Sequence, residues 1–288
     1  MTTSLKMPPE KIRALRAELE DRGFTFKPLP YGHYQARGEE VVVAAYKSGK
    51  VVVQGKGEQA FLERAGLTVP AATMPTQTCV GSDESGKGDY FGPLVVAAVR
   101  VEPGQIAMLQ RAGVKDCKKL SDSATMRAAV AVRESCSHFV RAMMPPEYNE
   151  RHAAEGNVAL FLSAMHAEAA REALGDSDGT ERIVIDQFTF PERLKAALEN
   201  EGLHNLDVEI RHRAEDNPAV AAASVLARAE FLIALKELGH DQGLELPKGA
   251  GSNVDRVARQ IFEGGGLEAL DAVAKTHFRT TEKVTGLF

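Results

Sequence analysis

The sequence is poor in the features that indicate a disulfide-linked, zinc-binding or membrane-spanning protein. It has 3 cysteines in 288 residues, and because Cys79, Cys117 and Cys136 are not closely paired, neither a disulfide framework nor a zinc knuckle is indicated. Its 8 histidines show no ligand spacing. No run approaches the roughly 18 apolar residues that a membrane span needs, and the start, MTTSLKMPPEK, lacks the apolar stretch of a secretory signal. We therefore expect a cytoplasmic protein without a membrane partner, in which oxygen ligands hold any metal ion.

Charge is unevenly distributed along the chain. The net charge of −5 argues against a nucleic-acid partner, because Lys and Arg drive phosphate binding. The first 70 residues, however, hold 11 Lys and Arg against 8 Asp and Glu, a net charge of +3, and the remaining residues carry −8. A mildly basic module therefore precedes an acidic one.

The amino-terminal residues show the pattern of a small α+β domain. Ile12, Leu15 and Leu19 recur at helical spacing, and Gly23 stands where a left-handed helix cap is expected. Apolar runs separated by turn residues predict an antiparallel sheet, with strands at about 31–36, 41–46 and 51–54. A second helix at about 58–65 closes the unit.

The length and these patterns predict two domains, residues 1–70 and 71–288, with a linker at about 67–77. In the second domain strands alternate with helices, which predicts an α/β (α+β) fold with one mixed sheet flanked by helices. We expect strands at about 78–82, 94–101, 137–143 and 182–186, and helices at about 121–134, 157–174 and 219–235.

The most informative stretch is GSDESGKGDYFGPLVV, residues 81–96, where Asp83 and Glu84 leave the end of a strand into a glycine-rich turn. An isolated Asp-Glu pair commonly caps a turn. The stretch also imitates a phosphate-binding loop, but position 88 is glycine rather than Ser or Thr, and the two carboxylates would repel the phosphates. The residues that follow lead into a strand, whereas a phosphate loop opens a helix. We therefore predict no nucleotide cofactor.

Two further acidic elements follow. Asp186 ends the apolar run RIVID, although many strands end in Asp because a turn follows. Glu215 precedes the alanine-rich helix, where capping by Asp216 or Asn217 is the alternative and is compatible with a metal role for Glu215. Together these carboxylates suit Mg²⁺ or Mn²⁺, which prefer oxygen ligands, and two such ions about 3.5 to 4 Å apart can activate water at a phosphodiester.

The residues also resemble a known family. GSDESGKGDYFGPLVVAAV is similar to the first motif of the type 2 ribonucleases H, and in particular of ribonuclease HIII. Further segments are similar in order and content: KDCKKLSD at 115–122, PPEYNE at 145–150, IDQF at 185–188, AAASVLAR at 221–228, LPKGAG at 246–251, THF at 276–278 and, near the amino terminus, YKSGKVVVQGK at 46–56. The resemblance spans nearly the whole chain.

The resemblance implies a ribonuclease H-like domain whose metal-binding and catalytic residues are Asp83, Glu84, Asp186 and Glu215. Glu at the fourth position is typical of the HIII branch, and Asp83 is the residue expected to bridge both ions. The run from Glu215 to Ser224 is one residue short of the family pattern, so Asp216 contends for the fourth position; we favour Glu215 because Ala-Glu matches the family dipeptide.

Substrate contacts follow from the same resemblance. The turn formed by Ser85, Gly86, Lys87 and Gly88 is expected to approach the ribose 2′-hydroxyl, which distinguishes RNA from DNA. Lys118 and Lys119 would steady phosphates, although Cys117 replaces the serine usual in the family.

The amino-terminal domain resembles the TATA-binding-protein-like module of this family, which grips the hybrid. Lys47 and Lys50 are expected to contact the nucleic-acid backbone. For Tyr31, Tyr34 and Tyr46 a place in the core is the favoured interpretation.

The implied activity is endonucleolytic cleavage of the RNA strand of an RNA/DNA hybrid, leaving 3′-hydroxyl and 5′-phosphate ends. A monomer is the simplest expectation for the oligomeric state. Two alternatives remain open: ribonuclease HII-like cleavage at single ribonucleotides embedded in DNA, and a non-catalytic hybrid-binding protein.

Overall fold

The computed structural model describes residues 2–65, 77–114, 120–176 and 182–286. The chain folds into two compact units, Met1–Thr73 and Met74–Phe288. Apart from Gln77, the predicted linker lies outside the described residues, as do Cys117, Lys118 and Lys119.

The first unit is an antiparallel sheet with a helical layer. Its elements are β1 (Thr2–Lys6), α1 (Pro9–Asp21), β2 (Thr25–Lys27), β3 (Gly32–Gly38), β4 (Val41–Tyr46), β5 (Lys50–Gly55) and α2 (Glu58–Arg64). The strand order is β1-β5-β4-β3-β2. The two edge strands were not expected from the sequence, because β1 contains one large apolar residue and β2 is 3 residues long.

One face of this sheet packs against α1. Ile12, Leu15 and Leu19 lie in the same core as Tyr34, and Gly23, with φ +74°, follows the end of the helix. Tyr34 is therefore a core residue, as favoured, whereas Tyr31 is 91% exposed on a turn with φ +58° and does not belong to the core. This exposure corrects the sequence-based interpretation of Tyr31.

The second unit contains a mixed sheet between helices. Its elements are β6 (Cys79–Ser85), β7 (Leu94–Val101), α3 (Ile106–Arg111), α4 (Asp122–Ser135), β8 (Ser137–Met143), α5 (Pro145–Glu155), α6 (Val158–Leu174), β9 (Arg182–Asp186), α7 (Pro191–Asn200), β10 (Asp207–Arg211), α8 (Pro218–Asp241), α9 (Ser252–Val273) and α10 (Arg279–Thr285). The strand order is β10-β9-β6-β7-β8, with β6, β9 and β10 parallel and β7 and β8 antiparallel to their neighbours. The mixed sheet flanked by helices confirms the predicted fold class.

The central strand β6 is longer than the sequence predicted. Its pairing with β9 stops at Ser82, opposite Ile185, but its pairing with β7 continues to Ser85, opposite Val95. Asp83 and Glu84 therefore lie within the strand and not in the turn after it. Because side chains alternate along a strand, Glu84 shares a face with Ser82, and Asp83 shares the opposite face with Gly81.

The face of Gly81 and Asp83 is covered by α8. A Cβ at Gly81 would lie 2.1 Å from the backbone nitrogen of Val220, so only glycine allows the strand and helix backbones this close approach. By length and composition α8 is the one helix among the described residues that could cross a membrane. In its most apolar stretch 72% is buried inside the fold, however, and its many alanines pack in the core.

Candidate active site

Acidic residues meet at one end of the sheet. Asp186 is the last residue of β9, which runs parallel to β6 with Ile185 opposite Ser82, so the next residues in register are Asp186 and Asp83. The backbone N–H of Ala214 donates a 3.0 Å hydrogen bond to Asp186 Oδ1. Ala214 begins the 3-10 turn Ala214–Asp216, which contains Glu215. Strand pairing and this hydrogen bond thus bring three separate segments of the chain, β6, β9 and the turn with Glu215, to the same end of the sheet.

Asp83 is the most strongly perturbed carboxyl group at this edge. Its residue is only 7% exposed. Burial, together with the negative charges of Glu84 and Asp186, raises the pKa of Asp83 to about 7, against a 2.8 Å hydrogen bond from the Glu84 N–H that lowers it. A buried carboxylate beside two others is a place where a cation would relieve both desolvation and repulsion.

Glu84 occupies the opposite face of β6, where it contacts two basic side chains. Its Oε1 lies 3.7 Å from Lys87 Nζ, and its Oε2 lies 3.3 Å from His166 Nε2 on α6. The Glu84 side chain is 15% exposed. His166 was missed at the sequence level, because a histidine within the apolar helix sequence AMHAEA carries no signal of the residue it faces.

The two acidic residues of the turn Ala214–Asp216 lie in different environments. Asp216 forms an ion pair with Arg211 of β10, and its side chain is 68% exposed. Glu215 is partly buried. Neither residue caps α8, since Asn217 Oδ1 accepts hydrogen bonds from the N–H groups of Ala219 and Val220 at 2.9 and 3.4 Å. Of the two capping residues considered from the sequence, the structure places Asn217 in that role.

The carboxylate oxygens at this end of the sheet are chemically suited to bind a hard divalent cation. All four predicted ligands offer carboxylate oxygens, and Asp83 is buried among like charges. Within the described ranges, no group of three or more His, Cys, Asp or Glu side chains is placed to hold one ion. The side chains therefore match Mg²⁺ or Mn²⁺ in type, but they do not form a closed coordination shell.

The turn after β6 is held by the segment around residue 249. Gly86 has φ +88°, and a Cβ there would lie 2.1 Å from the carbonyl oxygen of Pro93. Asp89 Oδ1 accepts a 2.6 Å hydrogen bond from the Gly249 N–H, and the Tyr90 N–H donates to the Gly249 carbonyl at 2.9 Å. The exposed residues Lys87 and Gly88 project from this fixed base.

A buried lysine supports the same turn and was also missed. Lys275 is fully buried, and its Nζ donates a hydrogen bond to the carbonyl oxygen of Gly92. Burial lowers the pKa of Lys275 to about 7, opposed by the charge of Asp89. Lys275 directly precedes the THF segment, but nothing in its sequence context indicates burial.

A mixed sheet with acidic residues at the ends of two parallel neighbouring strands is the arrangement of a metal-dependent nuclease of the ribonuclease H type. The family model for ribonuclease HII matches residues 80–281, and a model described as a domain of unknown function, DUF3378, matches residues 2–74.

Relatives of similar length match nearly the whole chain. Ribonuclease HIII of Protochlamydia amoebophila is 33% identical over 99% of this chain and 96% of its own, and ribonuclease HIII of Chlamydia trachomatis serovar D is 34% identical over 98% and 96%. The solved structure of Bst-RNase HIII in complex with Mn²⁺ is 32% identical, with a TM-score of 0.70, and covers 99% of this chain and 98% of that one. The chain therefore belongs to the ribonuclease HIII family, which confirms the resemblance seen in its motifs.

Proposed function

We propose that this protein hydrolyses the RNA strand of RNA/DNA hybrids as a divalent-metal-dependent endonuclease that leaves 3′-hydroxyl and 5′-phosphate ends. The observation that carries the proposal is Asp83, a buried carboxylate at the end of β6 whose pKa is raised by burial and by neighbouring Glu84 and Asp186. Membership of the ribonuclease HIII family supports the choice of reaction and substrate.

Asp83, Glu84, Asp186 and Glu215 are the residues that would hold Mg²⁺ or Mn²⁺. Bound ions would supply an activated water and neutralise charge on the phosphate and on the leaving oxygen. Asp83 fits the bridging position because it is the most buried of the four carboxylates and interacts electrostatically with both Glu84 and Asp186. Glu215 is favoured over Asp216 because Arg211 already engages the carboxylate of Asp216.

The turn of Ser85, Gly86, Lys87 and Gly88 is proposed to contact the ribose. Gly88 is exposed, and a Cβ there would meet no atom within 4 Å, so its backbone is open to an approaching sugar. A 2′-hydroxyl both donates and accepts hydrogen bonds, which backbone groups can match. The phosphate contacts of Lys118 and Lys119 remain predictions from the family resemblance.

The first unit is proposed to bind the backbone of the hybrid through the sheet face opposite α1. A depression of about 200 Å³ on that sheet is lined by Thr25, Lys27, Gln35, Arg37, Val42 and Gln54. Apart from Val42, these side chains are polar or basic and suit phosphate and sugar contacts. Lys47 and Lys50, both exposed, extend the basic character to the turn before β5 and to the first residue of that strand.

The proposal is tested with a hybrid whose RNA strand carries a 5′ label. The full chain is incubated with Mg²⁺ or Mn²⁺ added singly, and the fragments are compared with markers ending in 3′-hydroxyl or 3′-phosphate. Asp83→Asn should abolish cutting while leaving the fold and hybrid affinity largely intact. Asp241→Asn, which changes an exposed carboxylate on α8, is the matched control and should cut normally. Normal turnover by Asp83→Asn would remove this residue from the mechanism.

A second activity, cleavage at a single ribonucleotide embedded in DNA, has one observation in its favour, the match of residues 80–281 to the ribonuclease HII model. The amino-terminal unit and Glu215 favour the hybrid. Comparing cleavage of a duplex that contains one ribonucleotide with cleavage of a longer hybrid, at equal enzyme concentration, separates the two activities.

We also propose that the protein is cytoplasmic and monomeric. Cell fractionation checks the location, and light scattering checks the oligomeric state.

A further inference from the structure

The ring of His166 is fully buried between α6 and the sheet face that carries Ser82 and Glu84. Its Nδ1 lies 2.7 Å from Ser82 Oγ, and its ring stacks on Phe188 with the centroids 4.7 Å apart. A strand residue and a residue that follows β9 therefore fix the position of the ring.

The direction of the Ser82 hydroxyl proton and the tautomer of a neutral His166 ring are linked. Ser82 Oγ lies within hydrogen-bonding distance of both His166 Nδ1 and the Ala97 carbonyl oxygen, the latter at 3.1 Å, but it has one proton to donate. Donation to Ala97 would leave Nε2 of a neutral ring with a lone pair directed at a carboxylate. Donation to Nδ1 places the hydrogen on Nε2, where it faces Glu84 with favourable polarity.

The two oxygens of the Glu84 carboxylate face different groups. His166 Nε2 is buried and has no well-aligned hydrogen bond to any described residue, yet Glu84 Oε2 is 3.3 Å away. Oε1 faces Lys87 Nζ at 3.7 Å, and this ammonium group also lies 5.1 Å from the centre of the Phe188 ring. Oε2 therefore faces the imidazole, and Oε1 faces a position that a positive charge already occupies.

We infer that His166 is a positioning residue, whose Nε2–H holds one oxygen of Glu84 so that the other oxygen takes a divalent cation. The inference rests on the proposed function and deepens it, because it assigns the support of one metal ligand to a residue outside the carboxylate set. Removing the hydrogen-bonding partner of a metal ligand typically costs about 10- to 100-fold in metal affinity.

The test titrates the full-length protein with Mn²⁺ by calorimetry without nucleic acid and measures the Mn²⁺ concentration for half-maximal hybrid cutting. His166→Leu replaces the imidazole with an apolar side chain that cannot donate a hydrogen bond. His166→Gln supplies an amide N–H in place of the imidazole N–H. Met165→Leu, a buried neighbour on α6, is the matched control. His166→Leu should weaken Mn²⁺ binding about 10- to 100-fold and raise the half-maximal concentration similarly. His166→Gln should recover most of the loss, and Met165→Leu should behave as the wild type.

Wild-type Mn²⁺ affinity in His166→Leu, or equal losses in the Leu and Gln variants, would overturn the inference. If His166→Leu does not fold, Ser82→Ala takes its place, since it keeps the ring but removes the hydroxyl that directs hydrogen to Nε2. Weaker Mn²⁺ binding by Ser82→Ala supports the inference, and unchanged binding refutes it. Absence of hybrid cutting by the wild type would refute the proposed function alone, because the calorimetric comparison still decides the role of His166.

Discussion

Asp186 accepts a 3.0 Å hydrogen bond from the backbone N–H of Ala214, and this bond links the end of β9 to the turn that contains Glu215. One carboxylate therefore has two tasks, since it carries negative charge to the edge of the sheet and also holds the neighbouring acidic turn in place. The two tasks can be separated by substitution, because an amide oxygen accepts the same hydrogen bond without the charge.

We expect Asp186→Asn to abolish hybrid cutting with little change in thermal stability. Asp186→Ala should abolish cutting and also lose about 1 kcal/mol of stability, the usual contribution of one hydrogen bond. Activity on the labelled hybrid and thermal melting of both variants check this. Equal melting temperatures for the two variants would show that the bond to Ala214 does not hold the turn.

The two acidic residues of the turn should respond differently to the same change. Glu215→Gln removes a proposed ligand and should lower the cutting rate by at least about 100-fold, consistent with loss of a group that acts on the metal. Asp216→Asn removes only an exposed partner of Arg211 and should leave the rate within about twofold, since exposed ion pairs contribute little. Initial rates at saturating Mn²⁺ compare the variants, and the reverse order of effects would assign the fourth position to Asp216.

The buried carboxyl group of Asp83 should make the metal-free protein less stable as the pH rises. Its pKa is about 7 in the folded protein against 3.8 ordinarily, so between these values the folded state keeps a proton that the unfolded state releases. Stability from this group is complete below pH 3.8 and is lost as the pH rises toward 7, by at most about 4 kcal/mol at about 1.4 kcal/mol per pKa unit.

Asp83→Asn removes this titration. In the presence of a chelator its melting temperature should exceed that of the wild type by several degrees at pH 8, and by much less at pH 5. Melting curves of both proteins at the two pH values supply the comparison. A difference that does not depend on pH would mean that Asp83 ionises as an ordinary surface carboxyl does.

The sheet face of the first unit should account for much of the salt dependence of binding. Arg37→Ala lies in the depression proposed to contact the hybrid, and Arg13→Ala changes an exposed arginine on α1. Arg37→Ala should weaken hybrid binding and reduce the slope of log affinity against log salt by about 1, while Arg13→Ala should leave both unchanged. Binding isotherms are measured at three salt concentrations. Both variants also carry Asp83→Asn, so that the hybrid is not cut during the measurement. Equal effects of the two substitutions would place the contact surface elsewhere.

Much of the fold could be predicted because the residue pattern within a single segment indicates whether that segment is a helix or a strand. The helical spacing of Ile12, Leu15 and Leu19 and the apolar run of β9 each report on their own segment. The end of β6 could not be read in this way, because it depends on how far β7 continues to pair beyond the last residue matched by β9. Register between strands is a tertiary property.

The acidic residues proposed for the site were chosen from the sequence because motifs mark them, whereas their surroundings could not be predicted. His166 contacts a strand and Lys275 a turn that are distant from them in the chain, and an isolated His or Lys in the sequence does not reveal burial. The preference for Glu215 gained support only from the ion pair of Asp216 with Arg211, since the two residues are adjacent in the chain. Side-chain partners across the fold were therefore the part that the sequence could not supply.

The contact at Gly81 has a consequence for ion selectivity. The main chains of β6 and α8 touch there with no side chain between them. The separation between the acidic residues on the strand and those just before the helix is thus set where two peptide backbones meet, and a side chain added at Gly81 would widen it. At such a fixed spacing, adaptation to an ion of different radius must come from the reach of the carboxylates themselves, that is, from the choice between Asp and Glu at each position.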